Sequence, residues 1–70
     1  MIEIGRKGKI LQGRKIGNYV IIQDDIENTG GYLILTSPES DFLQGFDDWV
    51  EKEDLEAYVK ESNWEIEWIE

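Results

Sequence analysis

The hydrophobic residues of this chain alternate with polar ones mainly at a period of two, which predicts β-strands. Residues 19–22 are aromatic or β-branched, so a strand is predicted over residues 18–24. Its predicted antiparallel partner is the apolar segment 32–36, and the polar, glycine-containing segment 25–31 is the loop between them. We expect this hairpin to form the centre of the fold.

The N-terminal part predicts further short strands. Residues 2–4 alternate between apolar and polar, and residues 9–12 and 15–16 flank a predicted tight turn at 13–14. Since this part is rich in lysine and arginine, we expect it to form a solvated hairpin at the sheet edge, where lysines block further strand pairing.

The C-terminal part predicts one helix and one more strand. Leu55 and Val59 share a helical face that residues 49–50 do not continue, so the helix is predicted over residues 52–62 and residues 49–50 are predicted to be extended. Residues 64–68 alternate strictly, which predicts a closing strand. The fold class is therefore α+β, a small antiparallel β-meander of about four to five strands with one C-terminal helix packed on one face and a closing C-terminal strand.

The length of the chain and these elements predict one domain with an uncovered sheet face. Its 70 residues leave room for a single domain, residues 1–70, with one small core. One amphipathic helix covers only one face of such a sheet. We expect the other face to be solvated, or buried in a homodimer or against a partner.

Composition excludes several kinds of chemistry. The chain contains no His and no Cys, so disulfides, Cys-based metal or redox centres and Ser-His-Asp or Cys-His catalysis are excluded. Residues 25–30 begin like a calcium-binding EF-hand loop, but Thr36 occupies the position of the bidentate Glu. We predict no catalytic residue, no metal site and no cofactor, and hence no enzyme.

The apolar segments are too short to cross a membrane. The longest clear apolar runs have four residues each, at 19–22 and 32–35, and the N-terminus lacks a signal-peptide pattern. We therefore predict a cytoplasmic protein without a membrane partner.

Charge is distributed unevenly along the chain. The 16 acidic residues exceed the 7 basic ones, giving a net charge of −9. Five of the basic residues lie within residues 1–16, and the rest of the chain is strongly acidic. Such a chain repels nucleic acid and attracts cationic partners, although acidity also serves solubility alone.

One tryptophan is surrounded by acids in the sequence. Trp49 follows Asp47 and Asp48, which point to different sides of an extended chain. An aromatic anchor ringed by carboxylates is typical of an interface for a cationic protein, and the alternative is that Trp49 caps the core under the helix. The predicted partner-binding residues are Asp47, Asp48, Trp49, Glu51 and Asp54, with Glu65 and Glu67 as a second acidic strip.

Residues 17–70 resemble small acidic bacterial immunity proteins. The likeness consists of a β-hairpin built from 17–20 and 29–32, an Asp-Asp-Trp turn in 46–51, one helix, and a Trp-ended strand at 64–68. Members of such families neutralise toxins, so the resemblance implies binding to a toxin with a cationic substrate site. The basic residues 1–16 lie outside the likeness.

Three functions are left open by the sequence. The leading hypothesis is a protein-binding module that docks an acidic, Trp-containing surface on a basic partner, steered by charge. The second is a nucleic-acid mimic whose carboxylates block a DNA-binding protein. The third is a structural domain that dimerises through its open sheet face.

Overall fold

The computed structural model describes residues 2–69 and contains a five-stranded antiparallel sheet. The strands are β1 (Lys7–Gln12), β2 (Tyr19–Asp25), β3 (Gly31–Ser37), β4 (Phe46–Glu51) and β5 (Glu65–Trp68). Two short helices, α1 (Ile26–Thr29) and α2 (Leu55–Glu61), accompany them, and a 3-10 turn at Lys52–Asp54 precedes α2. The strand order is β4-β3-β2-β1-β5, so β4 and β5 are the two edges.

The predicted central hairpin is confirmed. Strands β2 and β3 pair over their full lengths, with Ile22 opposite Ile34. The loop between them forms the single helical turn α1, which ends at Gly30 in the left-handed conformation. The predicted extended segment at residues 49–50 and the closing strand are also confirmed, as parts of β4 and β5.

The helix is shorter than predicted, and the molecule is mostly β. Helix α2 has seven residues, a length of about 10 Å, whereas five strands span about 19 Å. Of its side chains only Leu55 is buried. The prediction of one helix covering a sheet face is therefore met only in part. Ile2 and Trp64, which lie outside the helices and strands, also pack against the core. No helix among residues 2–69 has both the length and the apolar character needed to cross a membrane.

The predictions for the N-terminal part are wrong in two respects. Residues 2–4 are not a strand, because the chain turns at Gly5, whose N–H donates to the carbonyl of Ile22 at 2.8 Å. Residues 15–16 belong to the turn between β1 and β2 rather than to a strand.

The basic segment is not a solvated edge either. Strand β1 lies inside the sheet, because β5 pairs with it on the side opposite β2, with Gly8 opposite Trp68. A Cβ atom at Gly8 would lie 2.8 Å from the Trp68 ring, so the indole packs directly over the glycine. The closing strand therefore covers the edge that the lysines were expected to protect.

The alternation of the strands separates two sheet faces. Even-numbered strand residues form the core face, where Ile10, Val20, Ile22 and Ile34 are almost fully buried together with Leu55 of α2. Odd-numbered strand residues form the opposite side, which we call the open face. The register keeps odd residues opposite odd residues between most neighbouring strands. It is interrupted only at a bulge beyond Ile10 in the β1–β5 pair.

Candidate binding surface

The open face is apolar at its centre. The apolar side chains at this centre are Tyr19 and Ile21 on β2, Leu33 and Leu35 on β3, and Trp49 on β4, while the exposed Leu11 of β1 lies apart from them at the bulge beside β5. The first four are half-buried rather than buried, and Trp49 is 41% exposed. The expectation of an uncovered sheet face thus corresponds to a specific group of five side chains.

Four of these side chains were not among the predicted contact residues, although the sequence carries a signal for them. The runs 19–22 and 32–35 are apolar at consecutive positions rather than at alternate ones. A strand with one solvated face alternates, whereas a continuous apolar run indicates apolar groups on both faces. The two runs therefore provide one set of residues to the core and a second set to the open face.

Trp49 lies on the open face and not under the helix. Its indole packs against Gly31 of the neighbouring strand, where a Cβ atom would lie 2.7 Å from Cζ2 of the ring and would collide with the carbonyl of Val50. The indole Nε1 donates to Thr29 Oγ1 at 2.8 Å. The alternative interpretation, that Trp49 caps the core under the helix, is wrong.

Carboxylates flank the apolar centre at both sheet edges. Asp47 and Glu51 lie on β4 beside Trp49, and Glu65 and Glu67 lie on β5, all exposed. Because the edges are four strand spacings apart, the two acidic strips are separated by about 19 Å. Of the predicted contact residues, the structure therefore places three together on β4 and two at the far edge.

Asp48 and Asp54 do not belong to this surface. Asp48 has an even number, so it lies on the side of α2, where its Oδ2 accepts a hydrogen bond from the Tyr58 hydroxyl at 3.2 Å. Its Oδ1 accepts from the backbone N–H of Trp49 at 2.9 Å. Asp54 lies in the 3-10 turn before α2. The predicted acidic cluster is thus divided between the two sides of the sheet.

Two lysines of β1 also lie on the open face. Lys9 is opposite Glu67 in the pairing with β5, and its Nζ lies 5.5 Å from the centroid of the Tyr19 ring. Lys7 lies opposite Ile21. These cations lie between the β5 acids and the apolar centre, so the β4 acids adjoin Trp49 and its apolar neighbours directly and the β5 acids do not.

The turn between β1 and β2 uses its basic residues to hold the structure together. Arg14 Nη2 donates to Ser62 Oγ at 3.2 Å, and the guanidinium lies 5.7 Å from the centroid of the Tyr58 ring. Lys15 Nζ donates to Thr36 Oγ1 at 3.0 Å. Burial lowers the pKa of Lys15, the charge of Asp48 opposes this change, and Arg14 adds to it. These two residues therefore have a structural role near α2, away from the open face.

The Tyr58–Asp48 contact predicts a measurable pH dependence. Burial raises the pKa of Tyr58 above 10.0, and the charge of Asp48 and its hydrogen bond raise it further, against an opposing effect of Arg14. Because the folded chain holds this proton more tightly, Tyr58 contributes stability below pH 10.0 that is lost as the pH rises through its folded pKa. We expect Asp48→Asn to lower this pKa, as measured by the alkaline absorbance of tyrosinate, with Tyr58→Phe identifying its signal.

Glu51→Gln is the matched control for Asp48→Asn. It makes the same change in net charge on the same strand, but Glu51 is not among the groups that shift Tyr58. An equal change of the Tyr58 pKa in both variants would contradict a specific effect of Asp48.

The chain was compared with protein-family models, with curated proteins and with solved structures, and no match was found in any of them. The resemblance to immunity proteins therefore stays a prediction. Within residues 2–69, no group of three or more carboxylates is arranged so that it could hold a metal ion.

Proposed function

We propose that this chain is a non-enzymatic protein-binding module that docks the β3–β4 half of its open face on a basic partner. The observation that carries the proposal is the position of Trp49 between Asp47 and Glu51, next to the half-buried Leu33 and Leu35. Binding hot spots combine a large aromatic residue with apolar surface that excludes water, inside a polar rim. This half of the face has that composition.

The charge of the face supports a basic partner. The strand positions of the open face carry five acids, Asp25, Asp47, Glu51, Glu65 and Glu67, against the two lysines of β1. Complementary charge accelerates encounter and favours a partner of opposite sign. With a net charge of −9, a second copy of the chain is a poor occupant, because like charges repel at close approach.

A toxin with a cationic substrate site is one partner of this kind, as the resemblance to immunity proteins implies. The nucleic-acid mimic is less well supported, because a mimic needs carboxylates in a regular row. Four of the five acids of the open face form two edge strips with apolar side chains and lysines between them, and the fifth, Asp25, lies at the end of the central strand β2. We also propose that the protein acts in the cytoplasm, an expectation that rests on the short apolar runs of its sequence, four residues each at 19–22 and 32–35.

Charge reversal on the two sides of the molecule tests the proposal. The partner is isolated by affinity capture with the C-terminally tagged chain, purified, and titrated calorimetrically with each variant. The double variant Asp47→Lys with Glu51→Lys should bind about 100-fold more weakly or worse, since close interfacial charge pairs couple by about 1.5 kcal/mol or more each. Glu53→Lys with Glu56→Lys makes the same charge change at exposed positions in the 3-10 turn and in α2, and this variant should bind nearly as the parent does.

The opposite outcomes are equally clear. Equal weakening of both double variants would mean that only net charge matters, which contradicts a defined docking face. Light scattering could instead show that the parent chain is a dimer. If the Asp47→Lys, Glu51→Lys variant alone were a monomer, the face would be assigned to a second copy of the chain.

A further inference from the structure

A small cleft opens at one end of the open face, beside β4. It has a volume of about 240 Å³ and is lined by Leu35, Thr36, Phe42, Gly45 and Asp47. Pockets that hold small molecules are usually about 300–1,000 Å³. The volume of this cleft instead suits a single side chain of a partner protein.

The loop before β4 holds an aromatic ring at this cleft. Phe42 is half-buried, although Asp41 and Leu43 on either side of it are exposed. Its backbone has φ of 60°, in the left-handed region that a residue with a Cβ adopts only at a cost. The Phe42 N–H donates to the carbonyl of Glu39 at 3.1 Å, and this turn brings the ring back toward the sheet.

Asp47 gives the cleft its charge. Its side chain is exposed and makes no hydrogen bond or ion pair with any of the residues 2–69. The neighbouring Asp48 differs, since both of its carboxylate oxygens accept hydrogen bonds within the fold. A carboxylate next to an aliphatic and an aromatic wall fits a long side chain with an apolar stem and a cationic end.

We propose that this cleft accepts an arginine side chain of the partner. The inference rests on the proposed function and names the group by which the basic partner is recognised. Arginine fits better than lysine, because its planar guanidinium stacks on an aromatic ring and forms two parallel hydrogen bonds to one carboxylate. The methylene groups then lie along Leu35, the guanidinium lies against Phe42, and its N–H groups donate to Asp47.

Nuclear magnetic resonance on the full chain tests this directly. The probe is the capped tripeptide acetyl-Gly-Arg-Gly-amide, titrated into the ¹⁵N-labelled protein. The same tripeptide with citrulline, the uncharged isostere of arginine, is the control ligand. The arginine peptide should shift the amide signals of Leu35, Gly45 and Asp47 in a saturable manner, and the citrulline peptide should shift them much less.

Two variants that each remove one negative charge distinguish the effect of the cleft carboxylate on binding from the effect of the rest of the acidic edge. Asp47→Asn should weaken binding of the arginine peptide about threefold, as expected for an exposed ion pair. Glu51→Gln lies on the same strand outside the cleft and should change the affinity by less than about 1.5-fold, because a distant exposed charge is screened. Phe42→Ala should also weaken binding by removing the ring on which the guanidinium stacks.

Several results would overturn the inference. Binding of the citrulline peptide equal to that of the arginine peptide would exclude recognition of the cation. Equal losses in Asp47→Asn and Glu51→Gln would leave only general charge attraction. The two proposals can fail separately. If the Asp47→Lys, Glu51→Lys variant bound the basic partner weakly but the arginine peptide shifted no amide signal at the cleft, the arginine site would be refuted and the proposed function would remain.

Discussion

Gly13→Ala should lower the free energy of unfolding by about 3 kcal/mol, because it combines backbone strain with a collision between main-chain atoms. Gly13 has φ of 101°, which a residue with a Cβ rarely adopts. A Cβ there would also collide with the carbonyl oxygens of Ser62 and Asn63. The Ser62 carbonyl is held in place, because it accepts the N–H of Arg14 at 2.9 Å. Urea denaturation measures the loss.

Gly17→Ala is the control that separates the two causes. Gly17 lies in the same turn with φ of 89°, and a Cβ there would have no atom within 4 Å. It should therefore show the backbone cost alone, about 1–2 kcal/mol. If both variants lost the same stability, the close approach of the β1–β2 turn to the end of α2 would be refuted.

The contact at Gly13 also illustrates the limit of prediction from this sequence. The central hairpin, the extended segment at 49–50 and the closing strand could be predicted because their patterns are local, as in the strict alternation of residues 64–68. The strand order could not be predicted in this way. It depends on β5 returning to pair with β1, which brings Lys9 opposite Glu67 across nearly the whole chain. Nothing in the local pattern of either strand determines this pairing, and so the basic segment was expected at an edge.

For the candidate surface, the sequence could identify residues but not the side of the sheet on which they lie. Adjacent strand residues point to opposite faces, so Asp47 and Asp48 were expected to diverge. Which of them faces the helix follows only from the pairing of β4 with β3, where Ile34 of the core lies opposite Asp48. The same pairing places Trp49 beside Leu33 on the open face. The loop segment 41–43 could be expected to fold back onto the core, but the place of Phe42 at the cleft beside β4 could not be predicted, since a loop residue has no periodicity.

Trp49→Ala should weaken binding to the basic partner by about 30-fold or more, as truncation of a central aromatic hot spot does. Its effect on folding should be smaller, about 1 kcal/mol, because the ring is 41% exposed and its Nε1 makes one hydrogen bond, to Thr29. Calorimetric titration with the purified partner gives the affinity, and thermal unfolding gives the stability of the same variant. A large binding loss with a folded domain is the expected pair of results.

Ile16→Ala is the matched control for an exposed apolar side chain outside the surface. Ile16 is 64% exposed and lies in the turn between β1 and β2, so its truncation should leave the affinity nearly unchanged. Normal binding by Trp49→Ala would contradict the proposal that Trp49 is the centre of the docking surface, whatever the effect of the edge carboxylates.

A Trp49→Ala chain that binds weakly only because it unfolds would show a lowered melting temperature. The less disruptive Trp49→Phe would then decide the matter, because it keeps a ring over Gly31 while shortening the anchor. Binding weakened in a Trp49→Phe chain of parental stability identifies Trp49 as a contact, and unweakened binding excludes a specific role for the indole.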